Sequence, residues 1–201
     1  MARVLILHGW TNRRPVGHWQ RALAGELREQ GHLVSYTQMP NPDVPQLGDW
    51  LEIVSAELQM LREVGERSAE ELIVIAHSLG CITFLQAAAQ GLLEEIPSRL
   101  LLVAPPERQP VTLPEFETFV MKQSDEEIRA ISKKAANSLT LVGSDADVWQ
   151  PSGIQAGVGD MLGVEAVLVV GAKHFSHHDG FHHWQGVINW VNDPSADLTR
   201  V

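Results

Sequence analysis

Apolar residues along this chain fall into two kinds of stretch, and the two alternate. Short unbroken runs, 3–8 with Val4, Leu5, Ile6 and Leu7, 33–37, 71–77, 99–104, 138–142 and 164–170, read as strands. Between them apolar residues recur every three or four positions, as one face of a helix does. Trp19, Leu23 and Leu27 form one such face, stopped by Gly31; Leu47, Trp50, Leu51, Val54, Leu58 and Leu61 form a longer one. Ile82, Leu85, Ala88, Ala89 and Leu92 continue the third run into a helix, and Trp184, Val187, Ile188 and Val191 trace the last helix, closed near Asp193-Pro194. Ser124-Asp125-Glu126-Glu127 has the spacing of a capping box and opens a helix to about Ala136, while 152–162 reads as another. The pattern predicts an α/β chain with a six-stranded, mostly parallel sheet covered by helices on both faces, since no hairpin signal joins the strands. Pro40, Pro42 and Pro45 keep their segment out of helix, and Pro110 and Pro114 interrupt 107–123. The latter reads as a loop with a short helix, placed where a lid or pocket wall would sit.

Sheets of this kind place their ligands at the carboxyl ends of the strands, so the loops after the strands hold the candidate chemistry. The third run ends abruptly in Ala76-His77-Ser78-Leu79-Gly80, and a helical pattern begins at once. Small residues two before and two after a serine, between strand and helix, are the pattern of a nucleophile elbow. Alone, the motif fits equally a serine that merely caps the next helix. The other loops weigh against that reading. After the fifth run comes Gly143-Ser144-Asp145-Ala146-Asp147, and after the sixth Gly171-Ala172-Lys173-His174, so the chain order is Ser, Asp, His. A serine hydroxyl needs a base to take its proton, an imidazole can accept and return one, and a carboxylate on the far ring nitrogen orients that imidazole. Either Asp145 or Asp147 meets this requirement, both lying just beyond the same strand. His174 stands nearest its strand end among the five histidines at 174, 177, 178, 182 and 183. That cluster is also the one place where a metal site is conceivable, although its spacing matches no familiar ligand pattern.

Charge and length narrow the partners. The chain has 201 residues, 44% of them hydrophobic and 20% charged, which suits one soluble globular domain. Fifteen Lys and Arg against 25 Asp and Glu give a net charge of −10, leaving no basic face for nucleic acid. No apolar run approaches the roughly 20 residues of a membrane span, and the first residues are too few and too polar for a signal peptide. Cys81 is the only cysteine; a disulfide within the chain is excluded, and a cytoplasmic location is the expectation. Its place in the first helical turn after Ser78 suits a buried small apolar residue.

Taken together, His8-Gly9-Trp10, Ala76-His77-Ser78-Leu79-Gly80, Ala104-Pro105, Asp147 with Pro151, and Gly171-x-x-His174 followed by Gly180 and Trp184 carry a resemblance. The chain resembles, essentially from Val4 to Val191, the small serine hydrolases of the α/β-hydrolase superfamily that include the retinoblastoma-binding protein hydrolase. One departure is Ala76, where the wider superfamily most often has glycine. The resemblance implies a compact α/β-hydrolase fold over 1–193 without a large cap domain, followed by a polar C-terminal tail, 194–201. It also implies a carboxylesterase-like serine hydrolase acting on a small ester, thioester or activated amide, with no cofactor and no metal. Residue by residue it selects Ser78 as nucleophile, His174 as base and Asp147, rather than Asp145, as the acid. The oxyanion hole maps to the backbone N–H groups of Trp10 and Leu79. Trp149, Phe175 and Pro105 are expected at the pocket, and His77 in a packing or turn-stabilising role. Arg13 and Arg14 stand where they could meet an acidic group on a substrate or form a solvated basic pair. Two rival readings stay open: a binding protein on a hydrolase fold, and a metal-binding hydrolase using the 174–183 cluster.

Overall fold

A computed structural model describes residues 1–68, 70–108 and 113–201 of the chain. Its strands are β1 (Ala2–Leu7), β2 (Leu33–Ser35), β3 (Glu71–His77), β4 (Arg99–Val103), β5 (Ser138–Gly143) and β6 (Ala166–Leu168). They form one sheet in the order β2-β1-β3-β4-β5-β6, and every neighbouring pair is parallel. The helices are α1 (Trp19–Glu29), α2 (Leu47–Ser68), α3 (Leu79–Ala89), α4 (Asp125–Ala135), α5 (Asp160–Leu162) and α6 (Gln185–Asn192).

The unbroken apolar runs follow from a sheet covered on both sides. Alternate residues of one strand enter different cores. Leu5, Leu7, Leu72, Val74, Ala76, Leu100 and Leu102 pack with α2, α3, α4 and α5, whereas Val4, Ile6, Ile73, Ile75, Leu101 and Val103 pack with α1 and α6. α3 lies in the middle of its layer, and every residue from Leu79 to Ala87 is buried. The capping box at the start of α4 is formed in both directions between Ser124 and Glu127, worth about 1 kcal/mol to that helix.

Several boundaries differ from the pattern. β2 and β6 are three residues each because they are the sheet edges, where only one neighbour supplies hydrogen bonds. Beyond β6, Val169 turns into the core while Val170 is exposed. The expected helix over 152–162 is a π-helical turn, Gln155–Gly159, leading into α5. Within 107–123, Pro114 opens a 3-10 turn, Pro114–Phe119; Pro110 falls in 109–112, outside the described residues. Residues 194–201 lie back against α6, with Leu198 buried and its carbonyl taking the Trp184 indole N–H at 2.8 Å.

Candidate active site

The turn between β3 and α3 is a single residue. Ser78 has φ 54° and ψ −124°, a region costly for any residue with a side chain, on the order of 1–3 kcal/mol. Its neighbours hold it there. The Ser78 N–H donates to the Val103 carbonyl at 2.9 Å, tying the turn to β4. A Cβ on Gly80 would stand 2.8 Å from the His8 carbonyl oxygen and 2.9 Å from that of Leu7, so what demands glycine here is the end of β1. A Cβ on Gly9 would stand 2.6 Å from the Cβ of Ser78. Gly9 is thus a third obligatory small residue, one that elbow spacing alone does not reveal.

Three loops meet over this turn. His174 Nε2 lies 2.9 Å from Ser78 Oγ, and His174 Nδ1 lies 2.8 Å from Asp147 Oδ2. The Asp147 side chain is wholly buried, and its other oxygen accepts the Trp149 N–H at 2.9 Å. A carboxylate held at both oxygens orients the imidazole so that Nδ1 carries a proton and Nε2 faces the serine. Asp145 stands apart from this chain. Its Oδ1 accepts the Gly171 N–H at 2.6 Å, which clips the loop after β5 to the loop after β6 and holds the Asp145 carboxyl below the usual range.

Above Ser78 opens a cleft of about 520 Å³. One wall is aromatic. Trp10, Phe116 and Trp149 meet edge to face, with ring centroids 4.9 Å apart for Trp10–Phe116 and 6.2 Å for Trp10–Trp149. The other wall is polar and includes Asn12, Arg13, His18, Lys173 and His178. Leu79 opens α3, so its N–H is among those a helix leaves without a partner, and Trp10 lines the cleft beside it.

Two expected pocket residues lie elsewhere. Phe175 is fully buried, stacked on Trp184 at 5.0 Å and edge-on to Phe181 at 5.0 Å; its φ of 54° turns the ring into the core beneath α6. Pro105 is buried with its carbonyl on the Gln150 amide at 2.8 Å, and Pro106, one residue on, faces the cleft instead. Of the two arginines, Arg14 turns away to the Tyr36 carbonyl at 2.6 Å, while Arg13 on the cleft wall pairs with Asp43. Cys81 is buried, its S–H 3.2 Å from the Ala76 carbonyl, and burial pushes its thiol pKa up.

Most of the other histidines have structural partners. His8 donates from Nδ1 to the Gly9 carbonyl at 2.8 Å and accepts the Met39 N–H on Nε2 at 2.9 Å, which anchors the loop bearing Trp10. His18 caps α1. Burial lowers both to a pKa of about 4, so both stay neutral. His177 and His182 turn Nδ1 to the Gly17 carbonyl, at 3.3 and 2.8 Å, and His183 pairs with Glu26 at 3.0 Å. Among the described residues no three His, Cys, Asp or Glu side chains converge as a metal site requires, so the metal reading of the 174–183 cluster has no geometric support. The loop anchors His8 and His18 carried no signal of this role beyond proximity to the first strand.

A family model described as serine hydrolase matches residues 4–193. YdeN of Bacillus subtilis (strain 168) is 25% identical over 179 residues, covering 89% of this chain and 88% of that protein. The crystal structure of the B. subtilis ydeN gene product superposes with a TM-score of 0.75 at 22% identity, covering 96% of this chain and 97% of that one. A soluble variant of monoglyceride lipase from Saccharomyces cerevisiae shares the fold at a TM-score of 0.62 and 15% identity, over 96% of this chain and 84% of the lipase.

Proposed function

The chain belongs to the serine hydrolase family, and from that premise we propose that it cleaves small carboxylic esters through an acyl-enzyme formed on Ser78. The observation that carries this reading is the unbroken hydrogen-bonded path from Asp147 through His174 to Ser78 at the floor of an open cleft. In the first step Ser78 Oγ attacks the substrate carbonyl as its proton passes to His174 Nε2. Asp147 keeps the Nδ1 proton in place and stabilises the imidazolium. The N–H groups of Trp10 and Leu79 receive the oxyanion; losing one such donor typically costs about 3–4 kcal/mol of transition-state stabilisation. His174 then protonates the departing alcohol, and water repeats the sequence in reverse to release the acid. Thioesters and activated amides fit the same scheme.

The walls of the cleft suggest how the two halves of the ester lie. The departing group must reach His174 Nε2, and the loop carrying His174 also supplies Lys173 and His178 to the polar wall. The aromatic wall of Trp10, Phe116 and Trp149 remains for an apolar acyl group. An S. cerevisiae neighbour that is a monoglyceride lipase fits an ester substrate of this kind.

Turnover of p-nitrophenyl acetate, butyrate and octanoate by the intact protein, Ser78→Ala and His174→Ala tests the reading. We expect turnover of at least one ester, abolished in both variants. A folded protein inert to all three esters would refute esterase chemistry and favour a binding role for the cleft.

A further inference from the structure

His174 is held between two residues in the left-handed region of backbone space, Lys173 at φ 50° and Phe175 at φ 54°. Neither is glycine, and such a residue costs on the order of 1–2 kcal/mol. Conformations of this kind persist only where the surroundings over-determine them. Two donors from other elements do so. The Trp19 indole N–H reaches the Phe175 carbonyl at 2.9 Å, and His77 Nε2 reaches the carbonyl of His174 itself at 2.8 Å.

His77 is an expensive residue to place there. Its side chain is buried against Trp19, ring centroids 5.9 Å apart, and lies 5.1 Å from the His174 ring. A carbonyl oxygen only accepts, so the His77 proton sits on Nε2 and Nδ1 is left as a bare acceptor. That Nδ1 is buried and has no partner among the described residues. An unsatisfied buried acceptor is destabilising, and an apolar ring in the same place would avoid the penalty. Burial, with His174 and His18 nearby, drives the His77 pKa well down, so the ring stays a neutral donor to His174.

The one thing the imidazole supplies that an apolar ring would not is the hydrogen bond to the backbone of His174. It also closes a short circuit of contacts. His77 is joined to Ser78 by a peptide bond, Ser78 Oγ meets His174 Nε2, and the His174 carbonyl returns to His77. We propose that His77 is a positioning residue, whose Nε2–H fixes the His174 carbonyl and thereby sets the imidazole of His174 against Ser78 and Asp147. This rests on the serine hydrolase reading above.

Three variants test it, each compared with the intact protein. His77→Phe keeps a ring and removes the donor; His77→Gln restores an amide N–H of similar reach; His77→Asn carries an amide too short to reach. With p-nitrophenyl butyrate we expect kcat of His77→Phe to fall about 10- to 100-fold with KM nearly unchanged, the scale of a misplaced catalytic group. His77→Gln should recover most of kcat, and His77→Asn should behave as His77→Phe does, standing in for it should the phenylalanine variant not fold. The downfield proton resonance of His174 Nδ1–H should persist in the intact protein and His77→Gln and broaden away in the other two. Folded His77→Phe or His77→Asn with undiminished kcat, or His77→Gln as slow as they are, would overturn the proposal. An intact, folded protein that turns over no ester would instead refute the hydrolase reading on which it rests.

Discussion

The two loops that bring Ser78 and His174 together solve one problem in opposite ways. Each places its key side chain on backbone that residues with side chains avoid: Ser78 at φ 54°, His174 between φ values of 50° and 54°. At the elbow the solution is to leave atoms out. Gly80 and Gly9 remove the atoms that would collide, and the N–H of Ser78 itself bonds to β4. Around His174 no residue in 172–176 is glycine, and the shape is held by added contacts, from Trp19, from His77 and from the burial of Phe175 among Phe181 and Trp184. A turn cleared of side chains fails when its glycines gain them. A turn held from outside behaves the other way round.

The sharpest way to break the second loop while leaving the first intact is to remove the orienting charge. Asp147→Asn should retain the fold and the elbow yet lose about 10⁴-fold in kcat, because the amide favours the wrong imidazole tautomer. The first loop breaks through its own residues. Gly80→Ala brings a methyl against the carbonyls of Leu7 and His8, and we expect a loss of about 1–3 kcal/mol in denaturant unfolding together with a large fall in ester turnover. Phe175→Ala should, by contrast, leave the elbow in register but open a cavity under the His174 loop, costing about 3–5 kcal/mol in stability.

Acid separates the regions further. His8 and His18, both in or beside the loop after β1, have native pKa values near 4 against an unfolded value near 6.5. Between those values the unfolded chain binds protons that the native protein does not. Their contribution is therefore complete above about pH 6.5 and is lost progressively as pH falls towards 4, on the order of 3 kcal/mol for each if the full shift is realised. Urea midpoints measured from pH 7.5 to 4 should decline over that window, and His8→Gln should flatten the decline. The smallest effect belongs to Asp145→Ala. Loss of its exposed clip to Gly171 should leave the urea midpoint nearly unchanged, with kcat reduced only a few-fold. A loss comparable to that of Asp147→Asn would reverse the assignment of the two acids.

Separation along the chain explains what the sequence disclosed. Strand order of apolar runs, the Ser124 capping box and the elbow are all local patterns, and each reads directly from neighbouring residues. Gly9 was visible as part of a dipeptide, but its reason, the approach to Ser78 Cβ, joins residues far apart in the chain. Phe175 turns inward because which side a loop residue faces depends on its own φ, here 54°, which nothing in an aromatic signals in advance; Pro105 is held by the Gln150 amide on its carbonyl, a contact 45 residues along the chain. The expected helix at 152–162 is in part a π turn, where the Gln155 side-chain oxygen accepts the Ala166 N–H at 2.9 Å, again a contact outside the helix period. For His77 the sequence suggests packing or turn stabilisation, because adjacency to Ser78 gives no hint of a bond to the carbonyl of residue 174.

The central claim is that Ser78 is the nucleophile, activated through His174. Its most direct test is mass-spectrometric mapping of the adduct left by a fluorophosphonate, followed over time in the intact protein and in His174→Ala. The account predicts a single adduct on the peptide bearing Ser78, formed far more slowly when His174 is replaced. An adduct on another residue, or labelling of Ser78 at an unchanged rate without His174, would contradict it.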